Sequence, residues 1–261
     1  MAAPGQGDQR QRAFQPVPVR FLLPNLVTLL ALCSGVTSIR LAMEGRFEIA
    51  VAAVVLAIFL DAIDGRLARL LKGTSRFGAE LDSLADFVNF GVAPAILIYT
   101  WSLNALKPIG WIVALMLAVA CALRLARFNV ALDDPGKPAY ANAFFTGVPA
   151  PAGAGLAMAP IYLGFLDVLP DGHGVSRWIA IYVVVIAVLM VSRVPTFSGK
   201  TATRIPREMV LPVLALAALV IACLITFPWE TMAGAAAAYL LLIPVSVRSY
   251  LRKKRLNQQQ P

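Results

Sequence analysis

The 261-residue chain contains few histidines, cysteines and acidic residues. His173 is the only histidine and lies in a short polar run, which argues against imidazole general-base catalysis and makes a carboxylate the expected base. Cys33, Cys121 and Cys223 fall in separate apolar runs, so they predict neither a disulfide framework nor a metal-binding motif. Whatever chemistry the chain performs must rest mainly on its 14 acidic and 23 basic residues.

The chain also lacks any polar stretch long enough for a soluble domain. Hydrophobic residues make up 59% of it, charged residues only 14%, and the mean hydropathy is +0.75. We therefore predict an all-α polytopic membrane helix bundle of about eight transmembrane helices. The apolar runs are 26–43, 47–71, 80–103, 108–131, 144–166, 177–194, 208–227 and 231–250. The expected organisation is a tail at 1–20, a membrane domain at 21–251 and a basic tail at 252–261.

The basic residues are distributed unevenly between the loops of this predicted bundle. With the amino terminus in the cytoplasm, 19 of the 23 lysines and arginines fall on the cytoplasmic side and four on the other. This asymmetry supports eight spans with both termini inside. The net charge of +9 is not gathered on a soluble aromatic surface, which excludes a nucleic-acid partner. Contact of the basic tail with anionic membrane lipids is expected instead.

The amino-terminal segment lacks the pattern of a cleavable signal peptide, because no small-residue cleavage site follows a brief apolar core. We expect a bacterial inner membrane as the location.

Four carboxylates interrupt the second and third apolar runs, at Asp61, Asp64, Asp82 and Asp86. On helices each pair lies on one face, since the spacings are i, i+3 and i, i+4. A tight turn between the helices would bring all four into one small volume at the cytoplasmic ends of these spans. A charge inside a span costs roughly 2.5 to 3.5 kcal/mol, so a cation is expected. Oxygen-only ligands favour Mg²⁺, Mn²⁺ or Ca²⁺, and four carboxylates suit two ions.

Small residues share the helix faces of these carboxylates. Gly65, Ala68 and Gly78 remove side-chain bulk, which would let a large ligand approach the backbone. Arg66 and Arg69 add positive charge that suits a phosphate. The alternative is that the acids only form ion pairs with these arginines. The small residues between them favour a ligand site.

The spacing Asp-x2-Asp-Gly-x2-Ala-Arg-x8-Gly-x3-Asp-x3-Asp, from Asp61 to Asp86, resembles the signature of the CDP-alcohol phosphotransferases. The resemblance implies a six-helix membrane core, a CDP-linked lipid donor, release of CMP, two Mg²⁺ or Mn²⁺ ions and a homodimer. Softer motifs at 23–28, 89–94, 124–129 and 145–151 resemble the membrane-type phosphatidylserine synthases of this family. That resemblance favours CDP-diacylglycerol and L-serine as substrates.

The family resemblance also implies roles for the individual residues. Asp61, Asp64 and Asp82 would hold one ion, and Asp61, Asp82 and Asp86 the second, with Asp86 deprotonating the acceptor. The residues expected around the cytidine and its phosphates are Asp64, Gly65, Ala68, Arg69, Gly78 and Thr74. Thr74 lies in the connecting turn and has an equally simple interpretation as a polar turn residue.

The acceptor is less well determined by the sequence. Arg124 and Arg127, with Asn129, are candidates for binding the carboxylate of serine. The alternative is that both arginines extend to the membrane interface. Glycerol 3-phosphate, inositol phosphate and choline are other acceptors within the family. A cation or metabolite transporter is the alternative from another class, although it predicts acids near the middle of the membrane.

Overall fold

The computed structural model describes residues 19–71, 73, 75–132, 144–169, 172–197 and 209–258, and this part of the chain is almost entirely helical. Its helices are α1 Val19–Met43, α2 Phe47–Leu70, α3 Arg76–Phe87, α4 Ala93–Trp101, α5 Pro108–Leu132, α6 Ala150–Ala157, α7 Ala159–Phe165, α8 Ser176–Val191, α9 Val210–Thr226 and α10 Pro228–Gln258. A π-helical turn, Val88–Val92, joins α3 to α4, and a 3₁₀ turn, Leu103–Leu106, precedes α5.

The predicted membrane helix bundle is confirmed. Four helical segments in the described ranges are long and apolar enough to cross a membrane: Leu22–Met43, Arg76–Trp101, Pro108–Ala131 and Pro228–Arg252. Three shorter apolar segments are Ala150–Phe165, Ser176–Val191 and Val210–Thr226. Helix α2 has 24 residues but carries the charged residues of the signature. These segments correspond to the eight apolar runs of the sequence.

The fifth apolar run, which Pro149, Pro151 and Pro160 interrupt in the sequence, does not form one continuous helix. Residues Phe144–Thr146 form a short strand, β1, antiparallel to β2 (Pro195–Phe197), with Phe145 opposite Thr196. Gly147 then takes a φ of +77°, a left-handed conformation that glycine adopts readily. Helices α6 and α7 are separate because Pro160 near the start of α7 cannot donate a backbone hydrogen bond. The helical bundle therefore also contains one short two-stranded pairing within the described residues, which the sequence did not predict.

Helix α10 is longer than its apolar run. It continues to Gln258, through most of the segment that the sequence assigned to a basic tail at 252–261. Residues 1–18 of the predicted amino-terminal tail lie outside the described residues.

The centre of the bundle lies where α4 and α5 pack against α1 and α8. Large, fully buried side chains there include Phe90, Leu97, Leu117 and Ile186. Lipid tails are as apolar as leucine, so close van der Waals packing holds such helices together better than exclusion of water does. Small residues allow that packing: Gly91 faces Cys121 of α5 across the junction between the π turn and α4.

Gly91→Ala is expected to destabilise the bundle. An added Cβ would lie 2.9 Å from the Cβ and 3.2 Å from the Sγ of Cys121, and overpacking of this kind costs about 1 to 3 kcal/mol. Thermal unfolding of the purified protein in detergent measures the effect. Gly234→Ala on α10 is the matched control, because a Cβ there meets none of the described atoms within 4 Å. Equal unfolding temperatures for the two variants would contradict the expectation.

Candidate active site

Three carboxylates from two helices meet in the structure. Asp61 and Asp64 lie in the second half of α2, and Asp82 lies on α3. One ligand atom from each of the three falls within 4.8 Å of the other two. The approach of the two helix faces that the sequence predicts is therefore present. Asp86, one turn beyond Asp82, lies beside Asp61.

Local interactions fix the position of α3 relative to its neighbours. Ser75 caps the helix, and its Oγ accepts a hydrogen bond of 3.0 Å from the backbone N–H of Gly78. Further along, the Oγ of Ser83 accepts a hydrogen bond of 2.9 Å from Asn129 Nδ2 of α5. Helix α1 packs against both α2 and α3. The acids of α3 are thereby held opposite those of α2.

Asp64 provides a direct test of whether the cluster suits a cation. Its side chain is only 3% exposed, and neither carboxylate oxygen has a hydrogen-bond partner among the residues that the structure describes. Asp86 Oδ1 is also buried and likewise has no hydrogen-bond partner among the described residues. A buried carboxylate without partners is strongly destabilising. The donor set is all oxygen, so a hard divalent cation fits these residues.

Ion pairing with neighbouring arginines does not account for the cluster. Within the described ranges, the salt bridges are those of Glu44 with Arg40 and Arg46, in the connection between α1 and α2. Arg69 instead donates from Nε to the backbone carbonyl of Gly65 at 2.8 Å. The ion-pair alternative is therefore absent from the described part of the site.

The small residues of the signature have different surroundings. A Cβ placed on Gly65 would meet none of the described atoms within 4 Å, so this position faces open space. A Cβ on Gly78 would lie 2.8 Å from Asn25 Oδ1 of α1, so its missing side chain admits a protein neighbour. Ala68 is partly buried on α2. Thr74 lies outside the described residues.

The two candidate arginines of α5 have separate environments. Arg124 is 8% exposed, and its guanidinium interacts electrostatically with the Asp86 carboxylate and lies 5.7 Å from the ring centroid of Phe128. Arg127 is exposed and donates from Nη1 to the Val191 carbonyl at 2.6 Å, at the end of α8. Asn129 binds Ser83, as described above. The structure thus places Arg124 within electrostatic range of the Asp86 carboxylate and gives Arg127 and Asn129 contacts within the protein.

Three buried polar residues were not identified as site residues from the sequence, although Asn89 opens the motif at 89–94. Asn89 in the π turn is 1% exposed, and neither side-chain amide atom has a partner in the described part of the chain. The Tyr239 hydroxyl and Ser246 Oγ of α10 are buried and equally unpaired there. Asn89 follows Asp86 by one turn, and that spacing was a usable signal. The two residues of α10 had no such signal, because they lie more than 100 positions away in the sequence.

An apolar helical bundle with converging carboxylates and a buried arginine defines an integral membrane protein with a polar ligand site. A family model described as CDP-alcohol phosphatidyltransferase matches residues 21–191. A second, described as CDP-alcohol phosphatidyltransferase 2, matches residues 208–244. The chain therefore belongs to the CDP-alcohol phosphatidyltransferase family, and the resemblance drawn from the signature is confirmed.

Curated relatives share most of the chain. A CDP-diacylglycerol–serine O-phosphatidyltransferase of Mycobacterium tuberculosis is 40% identical over 233 residues, which cover 87% of this chain and 79% of the relative. The protein with the same description in Helicobacter pylori is 37% identical over 186 residues, 70% of this chain and 75% of the relative. An archaetidylserine synthase of Methanothermobacter thermautotrophicus is 36% identical over 178 residues, 66% and 68% respectively.

Divalent cations are expected to stabilise the protein, and Asp64→Asn to remove that effect. A ligand that binds only the folded state at 100 times its Kd stabilises it by about 2.7 kcal/mol, so Mg²⁺ or Mn²⁺ should raise the unfolding temperature. Glu80→Gln is the control, since Glu80 is an exposed acid on α3 outside the cluster. Full stabilisation of Asp64→Asn by the metal would show that Asp64 is not a ligand.

Proposed function

We propose that the chain is an integral-membrane phosphatidyltransferase that makes phosphatidylserine and CMP from CDP-diacylglycerol and L-serine. The observation that carries this proposal is the buried Arg124, whose guanidinium interacts electrostatically with Asp86 next to an acidic cluster of the family signature. The descriptions of the curated relatives, two serine phosphatidyltransferases and an archaetidylserine synthase, support the same acceptor.

The proposed metal site comprises Asp61, Asp64, Asp82 and Asp86, with two Mg²⁺ or Mn²⁺ ions as in the family resemblance. Ions bound there would neutralise the diphosphate of the donor and stabilise the negative charge of the leaving phosphate. The unpaired oxygens of Asp64 and Asp86 support this assignment. The open space over Gly65 gives the nucleotide room to approach α2, with the partly buried Ala68 one turn further along. Arg69 on the same helix supplies a positive charge for a phosphate.

Asp86 is proposed as the general base. The serine hydroxyl loses its proton to the Asp86 carboxylate as its oxygen forms a bond to the lipid-side phosphorus. The bond from that phosphorus to the bridging oxygen breaks, and CMP leaves with the electron pair. Asp86 is suited to this role because its carboxylate interacts both with Asp61 of the cluster and with the Arg124 guanidinium. A serine whose carboxylate is bound by Arg124 would have its hydroxyl near that base.

Arg124 also favours serine over other acceptors of the family. A phosphorylated acceptor would suit a tighter basic cluster, and choline would suit an aromatic cage. Arg127, three residues on, donates to the end of α8 instead of facing Asp86. A single buried guanidinium matches the single charge of a carboxylate.

The charge distribution in the sequence supports a proposal for the cellular setting. We infer a bacterial cytoplasmic membrane, with the active site and both termini on the cytoplasmic side, because 19 of 23 basic residues fall there in an eight-span topology. A homodimer is inferred from the family resemblance. A site that opens to the cytoplasm would be accessible to a soluble amino acid as the acceptor.

CMP release tests the function directly. Purified protein with CDP-diacylglycerol and Mg²⁺ or Mn²⁺ is offered serine, glycerol 3-phosphate, inositol, inositol phosphate or choline separately. We expect release with serine and formation of phosphatidylserine. Release with another acceptor only would retain the family assignment and overturn the serine assignment. No release from folded protein with any of these acceptors would contradict the proposed enzyme.

Arg124 and Arg127 form a matched pair for a second test. Arg124→Gln is expected to raise the KM for L-serine about 10- to 100-fold, since hydrogen bonds to charged groups contribute roughly 1.5 to 3 kcal/mol. Arg127→Gln is expected to lower the unfolding temperature, because the α8 carbonyls lose their donor, with little change in that KM. Steady-state kinetics and thermal unfolding of both variants show which arginine binds the acceptor and which one stabilises the fold. The reverse pattern would assign the acceptor to Arg127.

A further inference from the structure

Helix α10 contributes a polar side chain to the surroundings of Arg124. Tyr239 interacts electrostatically with the Arg124 guanidinium and lies beside Thr196 of β2. The Thr196 hydroxyl donates at 2.8 Å to the Gly147 carbonyl, and this contact ties β2 to the connection that precedes α6. Tyr239 lies outside residues 21–191, where the first family model matches and the signature is found.

The Tyr239 hydroxyl and Nε of the Arg124 guanidinium both lack a hydrogen-bond acceptor in the described part of the chain. Tyr239 Oη and Arg124 Nε are both buried, and neither has a hydrogen-bond partner among the described residues. A buried donor left unpaired is destabilising, and more so where the group is charged. One donor is a cation and the other is neutral. A ligand group that satisfies both has a negative charge and two acceptor oxygens. A carboxylate meets this requirement, and the serine of the proposed reaction supplies one.

The orientation of α10 is consistent with a ligand pocket next to the helix face that carries Tyr239. Ser246 lies seven residues after Tyr239, on the same helix face, and is 1% exposed with an unpaired Oγ within the described ranges. Leu241 and Val245, on the opposite face, are 72% and 48% exposed. Phe165 of α7 and Trp229 of α10, with ring centroids 4.7 Å apart, help fix the start of the helix. The polar face of α10 is therefore turned toward the protein.

We propose that Tyr239 is a specificity-determining residue whose hydroxyl donates to the carboxylate of the amino-acid acceptor, together with Arg124. This inference rests on the proposed function, since it names a residue that binds the serine of that reaction. The acceptor pocket then includes α10 as well as α5. The four aspartates keep their assignment to the metal ions and to proton transfer.

Tyr239→Phe is expected to raise the KM for L-serine about tenfold or more, because a hydrogen bond to a charged group contributes roughly 1.5 to 3 kcal/mol. The KM for CDP-diacylglycerol and the metal dependence should not change. Removal of an unpaired hydroxyl should also leave the unfolding temperature intact. Tyr239→Gln, which retains a donor, is the second variant and should recover part of the affinity for serine.

Two inhibitors separate carboxylate recognition from general damage to the pocket. L-alanine keeps the carboxylate and amine of serine without its hydroxyl, whereas ethanolamine keeps the hydroxyl and amine without the carboxylate. In Tyr239→Phe the inhibition constant of L-alanine should rise by the same factor as the KM for serine. That of ethanolamine should stay at its wild-type value, because the deleted contact is specific to the carboxylate.

Tyr162→Phe is the matched control. Tyr162 is a buried tyrosine of α7 whose hydroxyl likewise has no partner among the described residues, and it interacts with Tyr182 of α8. Its loss should leave the KM for serine unchanged. An unchanged serine KM in Tyr239→Phe, an equal rise for both substrates, or the same effect in Tyr162→Phe would overturn the inference. Absence of serine-dependent CMP release from the wild-type protein would instead reject the proposed function itself.

Discussion

Mutual repulsion among carboxylates inside an apolar bundle is the constraint on which the rest of this structure depends. Asp61, Asp64 and Asp82 converge within 4.8 Å, and Asp64 is almost fully buried. Such an arrangement is unfavourable unless a cation offsets it, because burial removes the solvation of each charge. The surrounding helices must therefore hold the acids together against a force that separates them. The packing of α1 on both α2 and α3 provides that rigidity.

The hydrogen bonds around the cluster serve the same purpose. Ser75 caps α3 at its start, and the Asn129 side chain joins the end of α5 to Ser83 in the middle of α3. Among the described residues, the polar groups of the site consequently lie mainly on helices. Groups on helices that are themselves packed can be held in a narrow range of positions, as both ion binding and proton transfer require.

The sequence predicted the helices and the acidic cluster because both follow from local patterns. Apolar runs of sufficient length give the spans, and spacings of three and four residues place Asp61 with Asp64 and Asp82 with Asp86 on single faces. Features that depend on distant contacts were not accessible in this way. The pairing of β1 with β2 joins residues about 50 positions apart, and the π turn at Val88–Val92 has no distinctive composition. Arg124 and Arg127 differ only through their neighbours on other helices.

The proposed donor and acceptor sites differ in the same way, because one is formed by residues close in sequence and the other by residues far apart. The residues assigned to the ions and the nucleotide come from 26 consecutive positions on two adjacent helices. The residues assigned to the acceptor come from α5 and α10, which are brought together only in the folded bundle. On these assignments, the donor site can be conserved as one short segment while the acceptor site changes through substitutions elsewhere. Tyr239 lies outside the first family model and within the second, at 208–244, where such changes leave the spacing of the aspartates intact.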